Sequence, residues 1–168
     1  EWLQYARQRS GKELPAIGEY WSDNVEQLTE YLTKTEGKVK LFDVPLHMNF
    51  HAASQDSALF DLSKIFDGSL LAASPLSAVT FVENHDSQPL CTLESPVSEW
   101  FKPLAYALIL LRNEGYPTVF AADYDGAEYE VNGKTIVIPS HRVLIDLFLN
   151  IRRSYLRGEQ QDYFDSPT

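Results

Sequence analysis

The sequence predicts an α/β fold built around a parallel sheet. Three observations carry this expectation. Short runs of almost continuous apolar character recur along the chain, as strands buried on both faces of a parallel sheet require. Stretches with helical spacing of apolar residues separate them. The order is one helix and then strand–helix four times, the pattern of a parallel α/β architecture.

Taken in order, residues 2–9 (WLQYARQR) read as a helix with Gly11 as its stop. The first strand is expected over 14–19 (LPAIGE). Asp23, with Glu26 three residues on, then opens a helix through Leu28, Tyr31 and Leu32 toward Gly37. The second strand is 39–44 (VKLFDV). A looser region, 47–76, holds a short helix around 60–66 with Gly68 behind it. The third strand is 78–83 (AVTFVE).

Ser95-Pro96 is expected to open the next helix, which runs through Trp100, Leu104 and Leu108 to near Gly115. Pro103 lies inside that pattern and predicts a kink or a split. The fourth strand is 117–122 (PTVFAA). The last helix follows Pro139-Ser140, carries a stripe of Leu144, Leu147, Phe148, Ile151 and Tyr155, and ends near Gly158. Residues 1–158 thus read as one partial domain, and 159–168 as a polar tail or the start of a linker.

The chain has 168 residues, 44% of them hydrophobic, enough for a core. Its net charge of -10, with Lys and Arg scattered, offers no basic face for nucleic acid. The longest apolar run, 104–111, is too short to span a membrane. Cys91 is the only cysteine, so a disulfide framework and a CxxC metal site are excluded, and Cys91 reads as unreactive.

Ligands of parallel α/β folds bind at the carboxyl ends of the strands. Here those ends carry Gly18-Glu19-Tyr20-Trp21, Asp43-Val44-Pro45, Asn84-His85-Asp86 and Asp123. Carboxylates, a histidine and aromatic rings on one rim suit sugar chemistry: one carboxylic acid protonates the leaving oxygen, another group stabilises an oxocarbenium-like transition state, and rings stack on pyranose faces.

The residues also carry a resemblance. FVENHD at 81–86 resembles a motif of the α-amylase family of glycoside hydrolases, and GEYW at 18–21 looks like the segment bearing that family's general acid. The runs 41–54 and 94–120 are similar to the liquefying-type subgroup, so four segments match in order across nearly the whole chain. The resemblance implies the second half of a TIM-like (β/α)8 barrel, from its fourth helix to its eighth, and a retaining mechanism on α-1,4-glucans such as starch or glycogen. It implies that Glu19 is the general acid/base, and that Asp86 is the carboxylate that stabilises the transition state. It further implies that His85 hydrogen-bonds the sugar, that Asn84 supports the pair, and that Trp21 is a stacking platform. Glu83 reads as the variable position of the four polar residues. Apolar neighbours of Glu19 are expected to keep its carboxyl protonated.

Other features follow the resemblance less closely. The family's nucleophile is an Asp upstream of the acid, and no Asp precedes Glu19. The nucleophile and most of the calcium ligands are therefore expected on a preceding half, with no cofactor held by this chain. Ala121-Ala122 stand where the family often has Tyr-Gly, and Leu90 where it often has Gly. His47 and His51, spaced i, i+4, lack a third ligand for zinc and read as loop or subsite residues. Asp123, Asp125, Glu128 and Glu130 read as a solvated acidic loop, Asp43 as a turn or supporting residue, and Trp100-Phe101 as helix packing. The two open edges of a half barrel predict weak stability or association between copies. The single cysteine, the lack of an Asn-x-Ser/Thr sequon and the subgroup favour the cytoplasm.

Overall fold

The computed structural model describes residues 1–55 and 60–163. Helix α1 spans Trp2–Ser10 and ends at Gly11, whose φ of 64° lets its N–H close on Arg7 O. Strands β1 (Ile17–Gly18), β2 (Lys40–Phe42) and β3 (Ala78–Val79) form a parallel sheet in the order β1-β2-β3. The first three predicted strands are therefore present but shorter, β1 and β2 at both ends and β3 only at its C-terminal end. Gly18 allows β1 to approach β2: a Cβ there would lie 3.1 Å from both Leu41 and Val39 side-chain carbons.

The fourth predicted strand, 117–122, is only partly extended. Tyr116 N–H donates to Ala78 O, Thr80 N–H to Tyr116 O and Thr118 N–H to Thr80 O, at 2.9, 3.0 and 2.8 Å. That alternation is a parallel ladder, so residues 116–118 flank β3. Residues 121–122 instead enter helix α6 (Ala121–Asp125). An antiparallel hairpin follows, β4 (Ala127–Val131) and β5 (Lys134–Ile138), turning at Asn132-Gly133 with φ of 52° and 71°. It replaces the predicted acidic loop. Glu128 and Glu130 are the exposed alternates of β4, while Tyr129 and Val131 face inward.

Helix α2 (Val25–Lys34) is capped one residue later than expected, because Asn24, not Asp23, accepts Gln27 N–H. The region read as loose begins with a full helix, α3 (Val44–Gln55), followed by a short 3₁₀ turn (Leu62–Lys64) and α4 (Leu70–Ala73). Helix α5 is Lys102–Leu110 and does not start at Ser95-Pro96. Pro103 sits in its first turn, where a missing N–H costs nothing, so it starts this helix and does not kink it. Helix α7 spans Arg142–Tyr155.

The core joins Leu28 and Leu32 of α2, Leu41 of β2, Leu46 and Phe50 of α3, Leu70 of α4, Tyr106 and Ile109 of α5, and Ile145 of α7. In α7 the buried face is shifted from the predicted stripe: Ile145 is enclosed and Phe148 and Leu149 pack on the core, whereas Leu147 and Tyr155 are exposed. Along β2 only Leu41 is fully buried, between half-buried Lys40 and Phe42. The uniform burial expected of a sheet covered on both faces is therefore absent from this strand. After α7 the chain docks on the end of α5: Gln160 accepts Asn113 N–H, and Asp162 pairs with Arg112. Of the tail read as 159–168, residues 164–168 lie outside the described part.

Candidate functional site

Glu19 follows β1 and His85-Asp86 follow β3, so both stand at the carboxyl edge of one sheet, two strands apart. Adjacent strands lie about 4.8 Å apart, so β1 and β3 themselves are roughly 10 Å from each other. Glu19 is exposed. The enclosing apolar pocket expected around it is not formed by its neighbours: Tyr20 stacks on Tyr31 at 5.4 Å, and Trp21 turns to His47 and Phe81 at 5.6 and 6.1 Å.

Trp21 is half-buried over an aromatic pair, since His47 and Phe81 stack at 4.9 Å with ring planes only 12° apart. His47 is fully buried on α3. Its Nδ1 lies 2.8 Å from Val82 O and its Nε2 2.9 Å from Ser95 Oγ. Burial holds its pKa down at about 4. The neutral ring therefore donates Nδ1–H to the carbonyl and accepts the Ser95 hydroxyl at Nε2. One turn on, His51 Nδ1 bonds Pro96 O at 2.7 Å. The pair are thus helix residues that fasten α3 to the segment after β3, a correction to the loop reading.

That segment is a tight turn. Asn84 Oδ1 accepts the N–H groups of Asp86 and Ser87, both at 2.9 Å, and Asn84 N–H donates to Ser87 Oγ at 3.0 Å. His85 projects outward with a side chain 75% exposed, and its Nε2 lies 3.5 Å from the Asp86 carboxylate. At that separation the two side chains are in contact without a good hydrogen bond. The two groups are therefore adjacent, open and oriented by backbone bonds.

Sequence reasoning missed Glu83. It is 3% exposed, the most enclosed of the four polar residues in the motif. Its carboxylate accepts Val97 N–H at 2.6 Å, Gln88 Nε2–H at 2.9 Å and the Ser87 hydroxyl. Burial pushes its pKa up to about 7, against these bonds and the nearby Lys102 charge. The Ser and Gln four and five residues on were the available signal. Asp43 is likewise buried, capping α3 through Leu46 N–H and tying down α4 through Leu70 and Leu71 N–H, at 3.1, 2.9 and 2.7 Å. Its pKa is pushed up to about 6 by burial, with the three N–H donors opposing.

A cleft of about 280 Å3 opens between β5, the 88–99 segment and Lys102, with Glu83 and Gln88 on its wall. None of Glu19, Trp21, His85 or Asp86 lines it. Asp123 is held by Lys102 and Tyr106, Asp125 by Arg142, and Glu128 and Glu130 point to solvent. Among the described residues no group of three His, Cys, Asp or Glu is arranged to hold a metal. Trp100 donates Nε1–H to Ser54 O while Phe101 enters the core, so both pack at the entrance to α5. Among the described residues no helix is long and apolar enough to cross a membrane.

No family model matches the chain. It is 46% identical over 171 residues to the cytoplasmic α-amylase of Escherichia coli (strain K12), covering 99% of this chain and 34% of that protein. It is 44% identical over 165 residues to the α-amylase of Bacillus licheniformis, covering 98% of this chain and 32% of the relative. The α-amylase of Geobacillus stearothermophilus is 46% identical over 166 residues, 98% of this chain and 29% of the relative. The chain spans about a third of the length of the curated relatives it matches. With Glu19 and His85-Asp86 on one edge of a parallel sheet and similarity at this level along its whole length, the chain belongs to the α-amylase family.

Proposed function

We propose that these residues serve hydrolysis of internal α-1,4-glucosidic bonds in starch or glycogen, with retention. Glu19 is the general acid/base, protonating the leaving oxygen and then activating water. Asp86 stabilises the positive charge that develops at the anomeric carbon, His85 donates to a hydroxyl of that sugar, and Asn84 fixes their backbone. Trp21 offers its ring to a glucose on the leaving-group side. The observation that carries this reading is the common edge: Glu19 directly follows β1, and Asp86 lies in the turn beyond β3 of the same parallel sheet. The reading includes a half barrel, β1 to 116–118 being four of eight strands, and the alternating burial of β2 supports it by leaving one sheet face incompletely covered.

A second reading has its own observation. No Asp precedes Glu19, so the 168 residues lack a match to the family's nucleophile. By themselves they bind glucan or assemble through the edges at β1 and 116–118, without double displacement. A chromogenic maltooligosaccharide separates the two readings. The 168 residues alone should turn over no faster than their Glu19→Gln variant; clear turnover above that control overturns the second reading. Joined to the preceding segment of a related α-amylase, they should become active in a Glu19-dependent way, and activity indifferent to Glu19 overturns the first.

A further inference from the structure

We propose that Glu83 is a positioning residue that holds Asp86 and His85 in place for the sugar; this rests on the glucan-hydrolase reading above. The turn after β3 is tied at three points to one buried carboxylate: Ser87 and Gln88 just beyond Asp86, and Val97 where the segment returns toward α5. Further bonds close the frame, Leu93 N–H to Asp86 O and Ser95 N–H to Ser87 O, both at 3.0 Å. Asp86 N–H is itself taken by Asn84. The Asp86 carboxylate stands clear of this network: apart from the His85 contact at 3.5 Å, no donor among the described residues bonds it. Glu83 thus turns its oxygens inward, to Val97 N–H and the Ser87 and Gln88 side chains, while the Asp86 carboxylate and the His85 ring stay open to a ligand. Lys102, itself paired with Asp123 and Glu99, supplies a compensating positive charge on the far side.

Carboxylate chemistry is needed at this position. A glutamine at 83 still accepts from Val97, but its amide nitrogen then faces the Gln88 amide, donor against donor. Exchanging the pair, Glu83→Gln with Gln88→Glu, restores one donor and one acceptor. Hydrogen exchange at the Asp86, Ser87 and Val97 amides reads the clamp, with the remote Ile145 amide as control. Glu83→Gln should speed exchange at the three by about tenfold, the effect of one buried donor left without its partner. Maltoheptaose affinity should fall by a similar factor, and the exchanged pair should recover both. Should Glu83→Gln fail to fold, Gln88→Ala, which removes one donor and leaves the carboxylate two, is read in its place.

Exchange at the three amides within about twofold of the parent sequence overturns the proposal, since it lies below the cost of losing a buried hydrogen bond. So does faster exchange with unchanged affinity, because Glu83 would then shape the turn without serving the ligand. If the parent chain binds no maltoheptaose, the glucan reading is what fails, and the exchange result alone decides whether Glu83 clamps the turn.

Discussion

Lys102 Nζ lies 2.6 Å from Asp123 Oδ1, and both side chains are closed to solvent. Tyr106 donates to the other Asp123 oxygen at 2.7 Å, and Glu99 holds a second face of the ammonium at 2.8 Å. Burial opposes the lysine charge, but these acids outweigh it, and its pKa lies above the usual lysine range. Removing Asp123 leaves the lysine only the part-exposed Glu99, and removing Lys102 leaves the Asp123 charge only the Tyr106 hydroxyl. Asp123→Asn or Lys102→Met is expected to cost about 3–5 kcal/mol in urea denaturation. The triple change Lys102→Met, Asp123→Leu, Tyr106→Phe should recover most of it, because the charges leave together.

Stability should fall as pH rises through neutrality, because two buried carboxyls prefer to be neutral. The Glu83 pKa rises from 4.5 to about 7 on folding and that of Asp43 from 3.8 to about 6. Each contributes stability that is full below its unfolded value and lost as pH climbs through its folded one. His47 acts oppositely: depressed from 6.5 to about 4, its contribution is full above 6.5 and lost on acidification through 4. Urea midpoints compared between about pH 5 and about pH 8 should show Glu83→Gln flattening the decline and His47→Gln steepening it. A decline that Glu83→Gln leaves untouched rules out this origin.

Leu90 has a φ of 62°, in the left-handed region that β-carbons disfavour, and its side chain is 37% exposed. It gains little burial in exchange for that backbone. Leu90→Gly is therefore expected to stabilise the chain by about 1 kcal/mol, read as a rise in the urea midpoint. Loss of stability would mean that the leucine side chain contributes more than its backbone costs.

On α7 the expected contrast lies between neighbours. Ile145 is completely buried, and Ile145→Ala should cost about 2–4 kcal/mol. Leu147, 52% exposed, should change stability by no more than about 0.5 kcal/mol on the same substitution. Equal effects would place the helix in a different rotation.

These contrasts show what could be read from the residues. Strand positions were legible because their apolar runs are short and bounded by helical spacing, and Gly11 behaves as the expected stop. Helix starts were not: Pro103 fits both a kink and a first turn, and only packing of Phe101 and Lys102 against the core decides. In 127–138 the alternation Ala127-Glu128-Tyr129-Glu130-Val131 and the Asn132-Gly133 pair were the available hairpin signal, and the carboxylates drew the reading to an acidic loop instead. Glu19 was legible as a candidate because it directly follows β1, and His85 and Asp86 because the polar run beyond β3 closes in a turn. Glu83 was not: Ser87 and Gln88, four and five residues on, hint at partners, but the third donor, Val97 N–H, lies 14 residues away and only the fold brings it in.

Of the three tryptophans, Trp2 is 75% exposed and Trp100 58%, while Trp21 is half-buried against His47 and Phe81. If Trp21 is the sugar platform proposed above, the chain carries a built-in optical gauge there. Trp21 should emit furthest to the blue, and a glucan ring settling there should shift it more than the exposed Trp2 and Trp100, so occupancy could be followed in the unlabelled protein.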